Sequence, residues 1–268
     1  MVSLRGEFLE GRGCPVIDAH AHMGPFRSIY LPEAAREAMV SGMERAGIEA
    51  IIVSHHNALF GDTREGNAEM LDAVRVCPGR IYGYCTIHPG YPSEMPGELE
   101  RYLKEPGVVG VKIHPSSHEY PIDGPNYAPL MERLNGEGRL LLSHTWGSEG
   151  TCGAQKMRII ANKYPNIRLL LGHSCYGAWT EAIALARDFP NVYLELTAAA
   201  HVYGLIEWMC REAGSQKVVY GTDYPWFDPA VYIGFVTFAH IEEREMRNIL
   251  YNNARRLLDE QLAKGRHE

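Results

Sequence analysis

Two histidines one residue apart, His20 and His22, close the short apolar run Val16-Ile17-Asp18-Ala19. Residues i and i+2 of a strand share a face, so both imidazoles project from one strand tip. That is half of a metal site before any other element contributes. A lone His-x-His occurs by chance; this one gains weight from later apolar runs that also end in His or Asp. Those runs end in Ser54-His55-His56, His88-Pro89, Lys112-Ile113-His114-Pro115, Ser143-His144-Thr145-Trp146, Gly172-His173-Ser174 and Gly221-Thr222-Asp223-Tyr224-Pro225. Eight of the twelve histidines fall at or beside such ends. Three imidazoles and a carboxylate form a nitrogen-rich, borderline-soft donor set. It suits Zn2+ best, with Fe2+, Mn2+, Co2+ and Ni2+ as alternatives. Water on such an ion ionises near pH ~7 and becomes a nucleophile.

The elements that must position these groups recur regularly. Eight β-branched or apolar runs cover 16–22, 50–55, 81–88, 108–114, 139–144, 167–173, 192–197 and 218–223. Their continuous apolar character fits strands buried on both faces of a parallel sheet. Helical stretches are predicted between them, at 32–39, 67–76, 95–103, 127–134, 154–163, 178–186 and 204–213, with a closing helix at 242–258. Strict β-α alternation over eight strands predicts an α/β chain folded as a single (β/α)8 TIM barrel, whose site lies at the C-terminal ends of the strands. A doubly wound open sheet is the runner-up. It loses support because no Gly-x-Gly-x-x-Gly follows a strand.

At 268 residues the chain fits one barrel domain spanning 1–268, with an extension over residues 1–14 and the barrel over about 15–258. The composition, 46% hydrophobic and 22% charged, is that of an ordinary globular protein. A net charge of -7 argues against nucleic-acid or anionic-membrane partners and leaves a small-molecule substrate as the expected one. No apolar run approaches spanning length, and the opening Met1-Val2-Ser3-Leu4 stretch lacks the apolar core of a leader. The six cysteines form no C-x-x-C pair and read as reduced thiols of a cytoplasmic protein. A homodimer is the expectation from the prevalence of two-fold assemblies.

Asp18-Ala19-His20-Ala21-His22, Gly110-Val111-Lys112-Ile113-His114-Pro115, Leu142-Ser143-His144, Leu171-Gly172-His173 and Tyr220-Gly221-Thr222-Asp223-Tyr224-Pro225 resemble, in this order, the amidohydrolase superfamily. They are most similar to its amidohydrolase-related branch, which holds aminocarboxymuconate semialdehyde decarboxylase, aromatic-acid decarboxylases and lactone hydrolases. Asn252-Asn253-Ala254-Arg255-Arg256-Leu257 resembles the closing helix of that branch. The resemblance runs from residue 16 to 258. It implies one divalent metal held by His20, His22, His144 and Asp223, with Asp223 and His173 as the proton-handling groups. Lys112 stays open between two readings. In binuclear members a strand-four lysine is carboxylated and bridges a second metal. The ordinary ammonium, bonded to substrate or to a carboxylate, is preferred here because the branch is mostly mononuclear. His114 shares the face of Lys112 and reads as substrate-binding or as support for a ligand.

Weaker candidates surround this set. Arg64, on the loop read over 57–67, can pair with a substrate carboxylate. His55, His88 and Trp146 are candidate substrate contacts, and His201, Tyr203, Trp226 and Phe227 are pocket-wall candidates. Glu195 is a candidate buried partner for Lys112 or a histidine, whereas His240 and His267 read as structural or exposed. The preferred function is a metal-dependent hydrolase that activates water against a lactone, amide or ester carbonyl. The short loops favour it over the alternative, a non-oxidative decarboxylase of an unsaturated or aromatic acid. A non-catalytic binding barrel is the third reading, and the intact ligand set speaks against it.

Overall fold

The computed structural model describes residues 14–264 apart from residue 149. The predicted extension over 1–14 and the reading of His267 therefore fall almost wholly or wholly outside the described residues. Eight strands run in parallel and in chain order: β1 (Ile17–Met23), β2 (Ala50–His55), β3 (Ile81–Thr86), β4 (Val108–Ile113), β5 (Leu140–Trp146), β6 (Arg168–Tyr176), β7 (Val192–Glu195) and β8 (Val218–Val219). The sheet returns on itself, because the Ala19 N–H donates to Tyr220 O at 3.0 Å and the His22 N–H to Tyr224 O at 2.8 Å. The result is the (β/α)8 TIM barrel expected from the alternation. Among the described residues, no helix is long and apolar enough to cross a membrane.

Two apolar layers follow from strand alternation. Ile17, Ala19, Ile52, Tyr84, Val109, Leu142, Leu170 and Val219 fill the barrel interior, plugged from below by Leu257 and Leu258 of the last helix. Ala21, Val53, Val111, Ile113, Leu141 and Leu171 face outward into the shell of helices. In β1 the pairing register with β2 shifts between Asp18 and Ala21. One extra residue changes the phase of alternation. Ile17 and Ala19 thus face inward in the lower half, and His20 and His22 still face inward in the upper half.

Three stretches differ from the sequence expectation. The loop read over 57–67 is a short helix, His56–Phe60, followed by the start of the helix Thr63–Val76, whose Asp62 cap accepts the Arg64 and Glu65 N–H groups. The helix Pro229–Thr237 was not expected: it is apolar on every side, so it carries no 3.6-residue stripe, although Asp228-Pro229 is a start signal. The closing helix is broken into Glu243–Arg247, a π turn over Asn248–Asn252, and Asn253–Lys264. There Asn253 donates to Ser215 O (2.8 Å) and Val218 O (2.7 Å) and ties the last helix to the barrel bottom.

Candidate metal centre and its cavity

Glu195, at the end of β7, organises the centre. Its Oε2 lies 2.8 Å from His20 Nδ1 and accepts the His173 N–H at 2.9 Å, while Oε1 accepts the Thr197 N–H at 2.5 Å. A buried carboxylate only accepts, so His20 carries its proton on Nδ1 and turns Nε2 to the barrel axis. Ser54 Oγ lies 2.8 Å from His22 Nδ1 and holds that ring with its Nε2 toward the axis. Both Nε2 atoms then meet Asp223 Oδ1, at 2.9 Å for His20 and 3.0 Å for His22. Asp18 is a strut and not a ligand: its carboxylate accepts the Thr222 hydroxyl at 2.5 Å and the His20 N–H at 3.1 Å, tying β1 to β8.

The backbone is bent to serve this arrangement. Asp223 has φ 60°, and His173, Ser174 and Cys175 are left-handed in succession at 67°, 48° and 51°. Non-glycine residues held there cost on the order of 1–3 kcal/mol each, and such strain collects at functional sites. Hydrogen bonds hold it, from Ser174 Oγ to Glu195 O (2.7 Å) and from Cys175 N to Thr145 Oγ1 (2.8 Å). Gly221 leaves room for the centre, since a Cβ there would stand 2.2 Å from Glu195 Oε1 and 2.8 Å from His20 Cβ.

The donor set fits a cation. Donor atoms of His20, His173 and Asp223 lie within 4.8 Å of one another. His20 Nε2 and His22 Nε2 face one carboxylate oxygen, an arrangement of lone pairs that a positive charge relieves. Burial and Lys112 push the His20 pKa down, but the carboxylates of Asp223 and Glu195 prevail and raise it. A positive charge is therefore favoured between those carboxylates. Burial pushes the Asp223 pKa up, but the neighbouring histidines override it and hold the carboxyl well below its usual range. Burial lowers His22 to about 3 and His173 well below the ordinary value, so both are neutral and able to donate a lone pair. The Nδ1 of His173 is buried with no hydrogen-bond partner.

One cavity of about 340 Å³ opens above this cluster, and it receives most of the predicted site residues: His22, Lys112, His114, His144, Trp146, His173 and Asp223. Lys112 Nζ lies 2.7 Å from His20 Nε2, and burial lowers its pKa to about 8 against the pull of Asp223 and Glu195. His144 stacks on His114 with ring centroids 3.9 Å apart and meets the edge of His173 at 4.7 Å. Trp226 and Phe227 also line the cavity, as the loop reading expected. Phe26 and Phe60 line it too and were not singled out in the sequence. Their one signal was position just past β1 and β2.

Three predicted contacts stand elsewhere. Arg64 lies in the first turn of its helix, 64% exposed and 2.9 Å from Glu94, so it faces solvent and not the cavity. His55 turns away from the axis: its Nδ1 accepts the Asn57 N–H at 3.1 Å and its Nε2 lies 3.0 Å from Glu69. His88 packs on His118 with centroids 4.2 Å apart, and its Nδ1 accepts the Gly90 N–H at 3.0 Å. Tyr203 is 94% exposed and forms no wall.

The gamma-resorcylate decarboxylase of Rhodococcus jostii (strain RHA1) is 23% identical over an alignment of 257 positions that takes in 72% of this chain and 77% of that protein. A TIM-barrel protein of Bordetella bronchiseptica superposes with a TM-score of 0.79 at 19% identity, covering 92% of this chain and 99% of the other. The 5-carboxyvanillate decarboxylase of Novosphingobium aromaticivorans, complexed with manganese and 4-hydroxy-3-methoxy-5-nitrobenzoic acid, superposes with a TM-score of 0.75 at 15% identity, covering 92% and 97%. The hydrolytic expectation is corrected by the decarboxylases among these relatives. The preference for zinc finds no support in a relative complexed with manganese. With residues 17–259 matching the amidohydrolase family from the first strand to the last helix, the chain belongs to that family.

Proposed function

We propose that this enzyme is a metal-dependent, non-oxidative decarboxylase of a single-ring aromatic carboxylic acid. The observation that carries the reading is one cavity lined both by the polar cluster and by the rings of Phe26, Phe60, Trp146 and Trp226. Its volume of about 340 Å³ suits a single ring and lies at the lower end of the ~300–1,000 Å³ typical of small-molecule sites. Kinship with a gamma-resorcylate decarboxylase supports the reaction class.

His20, His22 and Asp223 would hold one divalent ion, manganese or another of the borderline metals, with an imidazole of the His144–His173 pair completing the set. When bound, the ion supplies a positive charge that anchors the carboxylate end of the substrate. Lys112 is the only Lys or Arg among the described residues lining the cavity, and it pairs with that same carboxylate. Asp223 is ionised before substrate arrives; an incoming anion raises its proton affinity. It takes up one proton from solvent, relayed through His173, and passes it to the ring carbon that bears the carboxylate. The C–C bond breaks, its electron pair returns to the ring, and CO2 leaves. His173, with Nε2 4.0 Å from Asp223 Oδ2, is placed to return a proton from solvent. The aromatic walls exclude water from the protonated ring.

The test is turnover of a panel of hydroxylated benzoates by the Mn2+-supplemented protein in D2O. The expected product is the decarboxylated phenol with one deuterium at the carbon that lost CO2. Absence of any decarboxylated product across the panel, or product without ring deuterium, overturns the proposal.

A further inference from the structure

The cavity has two unlike sides, and the barrel order sets them apart. Lys112, His114, His144 and His173 come from β4, β5 and β6, one arc of the barrel. Above the floor, the loops after β8, β1 and β2 cover the opposite arc with Trp226, Phe227, Phe26 and Phe60. Three of these rings form one packed group: Phe26 lies 4.9 Å from Trp226 and 5.3 Å from Phe60, centroid to centroid, in edge-to-face contacts. At its centre stands His56, buried, 5.6 Å from Phe26 and stacked on His22 at 5.1 Å.

His56 is engaged at both nitrogens. An indole N–H only donates, so the 2.9 Å contact from Trp226 Nε1 requires a lone pair on His56 Nε2. The proton then sits on Nδ1 and is donated to Gly24 O at 2.7 Å. Trp226 is thereby held with its one polar atom bonded to protein. Phe26, Phe60 and Phe227 have none.

We infer that His56 is a positioning residue that sets substrate specificity, by locking Trp226 so that the arc over β8, β1 and β2 offers a ring no hydrogen-bonding partner. The inference rests on the aromatic-acid reading above and narrows it. The ring bears its polar substituents beside the carboxylate, within reach of Lys112 and the histidines, and its far edge is bare or alkylated. A hydroxyl opposite the carboxylate would lose its water and gain no partner. Apolar pockets reject an added hydroxyl by up to about 100-fold.

The test uses two unreactive probes in which a nitro group stands for the carboxylate, 5-methyl-2-nitrophenol and 4-nitroresorcinol. They differ by a methyl or a hydroxyl opposite the nitro group. Calorimetric titration of the Mn2+-loaded protein is expected to show the methyl probe binding ~10- to 100-fold more tightly. His56→Leu frees the Trp226 N–H and should shrink that preference to under ~3-fold, while the double variant His56→Leu/Trp226→Phe, which leaves neither that N–H nor the imidazole lone pair on the arc, should keep it. Phe60→Tyr, which places a hydroxyl on the same arc, should also shrink it if His56→Leu does not fold. Equal or tighter binding of 4-nitroresorcinol by the wild type, an unchanged preference in a folded His56→Leu variant, or binding of neither probe overturns the inference. Because the probes are not turned over, the preference is read independently of decarboxylation. Turnover without the preference refutes this inference alone, and the preference without turnover refutes the reaction alone.

Discussion

Glu195→Gln is the most informative single change in the centre. The wild-type carboxylate accepts at both oxygens: His20 Nδ1–H and the His173 N–H at Oε2, and the Thr197 N–H at Oε1. A Gln amide has one oxygen and one NH2 in the same space. Turned one way, the NH2 meets two donors; turned the other, it meets only the Thr197 N–H, and this orientation prevails. One buried donor is then left facing another donor, a cost of about 1–3 kcal/mol. For a chain of this size that lowers the unfolding midpoint by about 2–10 °C. The loss of charge also makes His20 Nε2 a poorer ligand, and changes of this kind behind a ligating histidine weaken metal binding by about 10- to 100-fold. The assays are thermal unfolding of metal-free protein and competition for Mn2+ against a chelator of known affinity. Wild-type values in both would refute the role of Glu195 as the group that fixes the His20 ring.

Asp223→Asn should lower decarboxylation by roughly 100- to 10,000-fold with the near-ultraviolet circular dichroism of a folded barrel, and wild-type turnover would remove Asp223 as the proton donor. Gly221→Ala places a Cβ 2.2 Å from Glu195 Oε1, so urea unfolding should show a loss of about 1–3 kcal/mol, and an unchanged midpoint would mean the two strand ends yield freely. Burial lowers His118 to about 3, below its unfolded value, so its contribution is complete above pH ~6.5 and declines as pH falls toward the folded value. Between pH 7 and 5 the wild type should lose about 2 kcal/mol more than His118→Gln in urea titrations, and parallel losses would refute that assignment. Arg64→Ala should leave KM unchanged and stability within about 1 kcal/mol, because its partner Glu94 is an exposed surface charge; a raised KM would return Arg64 to the substrate.

Much of the barrel was legible because its signals are local. Alternation within a strand is a property of neighbouring residues, so His20 with His22, and Lys112 with His114, could be assigned to strand ends directly from spacing. The same local logic failed where the pattern was not periodic. The helix Pro229–Thr237 is apolar all round, and the short helix His56–Phe60 is too brief to show a stripe. Arg64 read as a loop residue because the cap at Asp62 was not recognised as the start of a helix; once in the first turn, its side chain leaves the barrel mouth.

Local patterning along the chain suffices for the class of barrel and for the strand ends that carry histidine and aspartate, because both follow from apolar strand runs and from connection length. Which atoms meet depends on the closed fold. Glu195 reaches His20 across 175 residues and Thr222 reaches Asp18 across 204. No window along the chain records such pairings; they exist because a closed sheet brings β7 and β8 back beside β1. The direction of each imidazole follows from those partners, as does the division of the cavity into a polar arc and an apolar one. Hydrogen bonds and ring contacts act over a few ångströms in space, without regard to separation along the chain, so the chemistry of the centre was decided when the barrel closed.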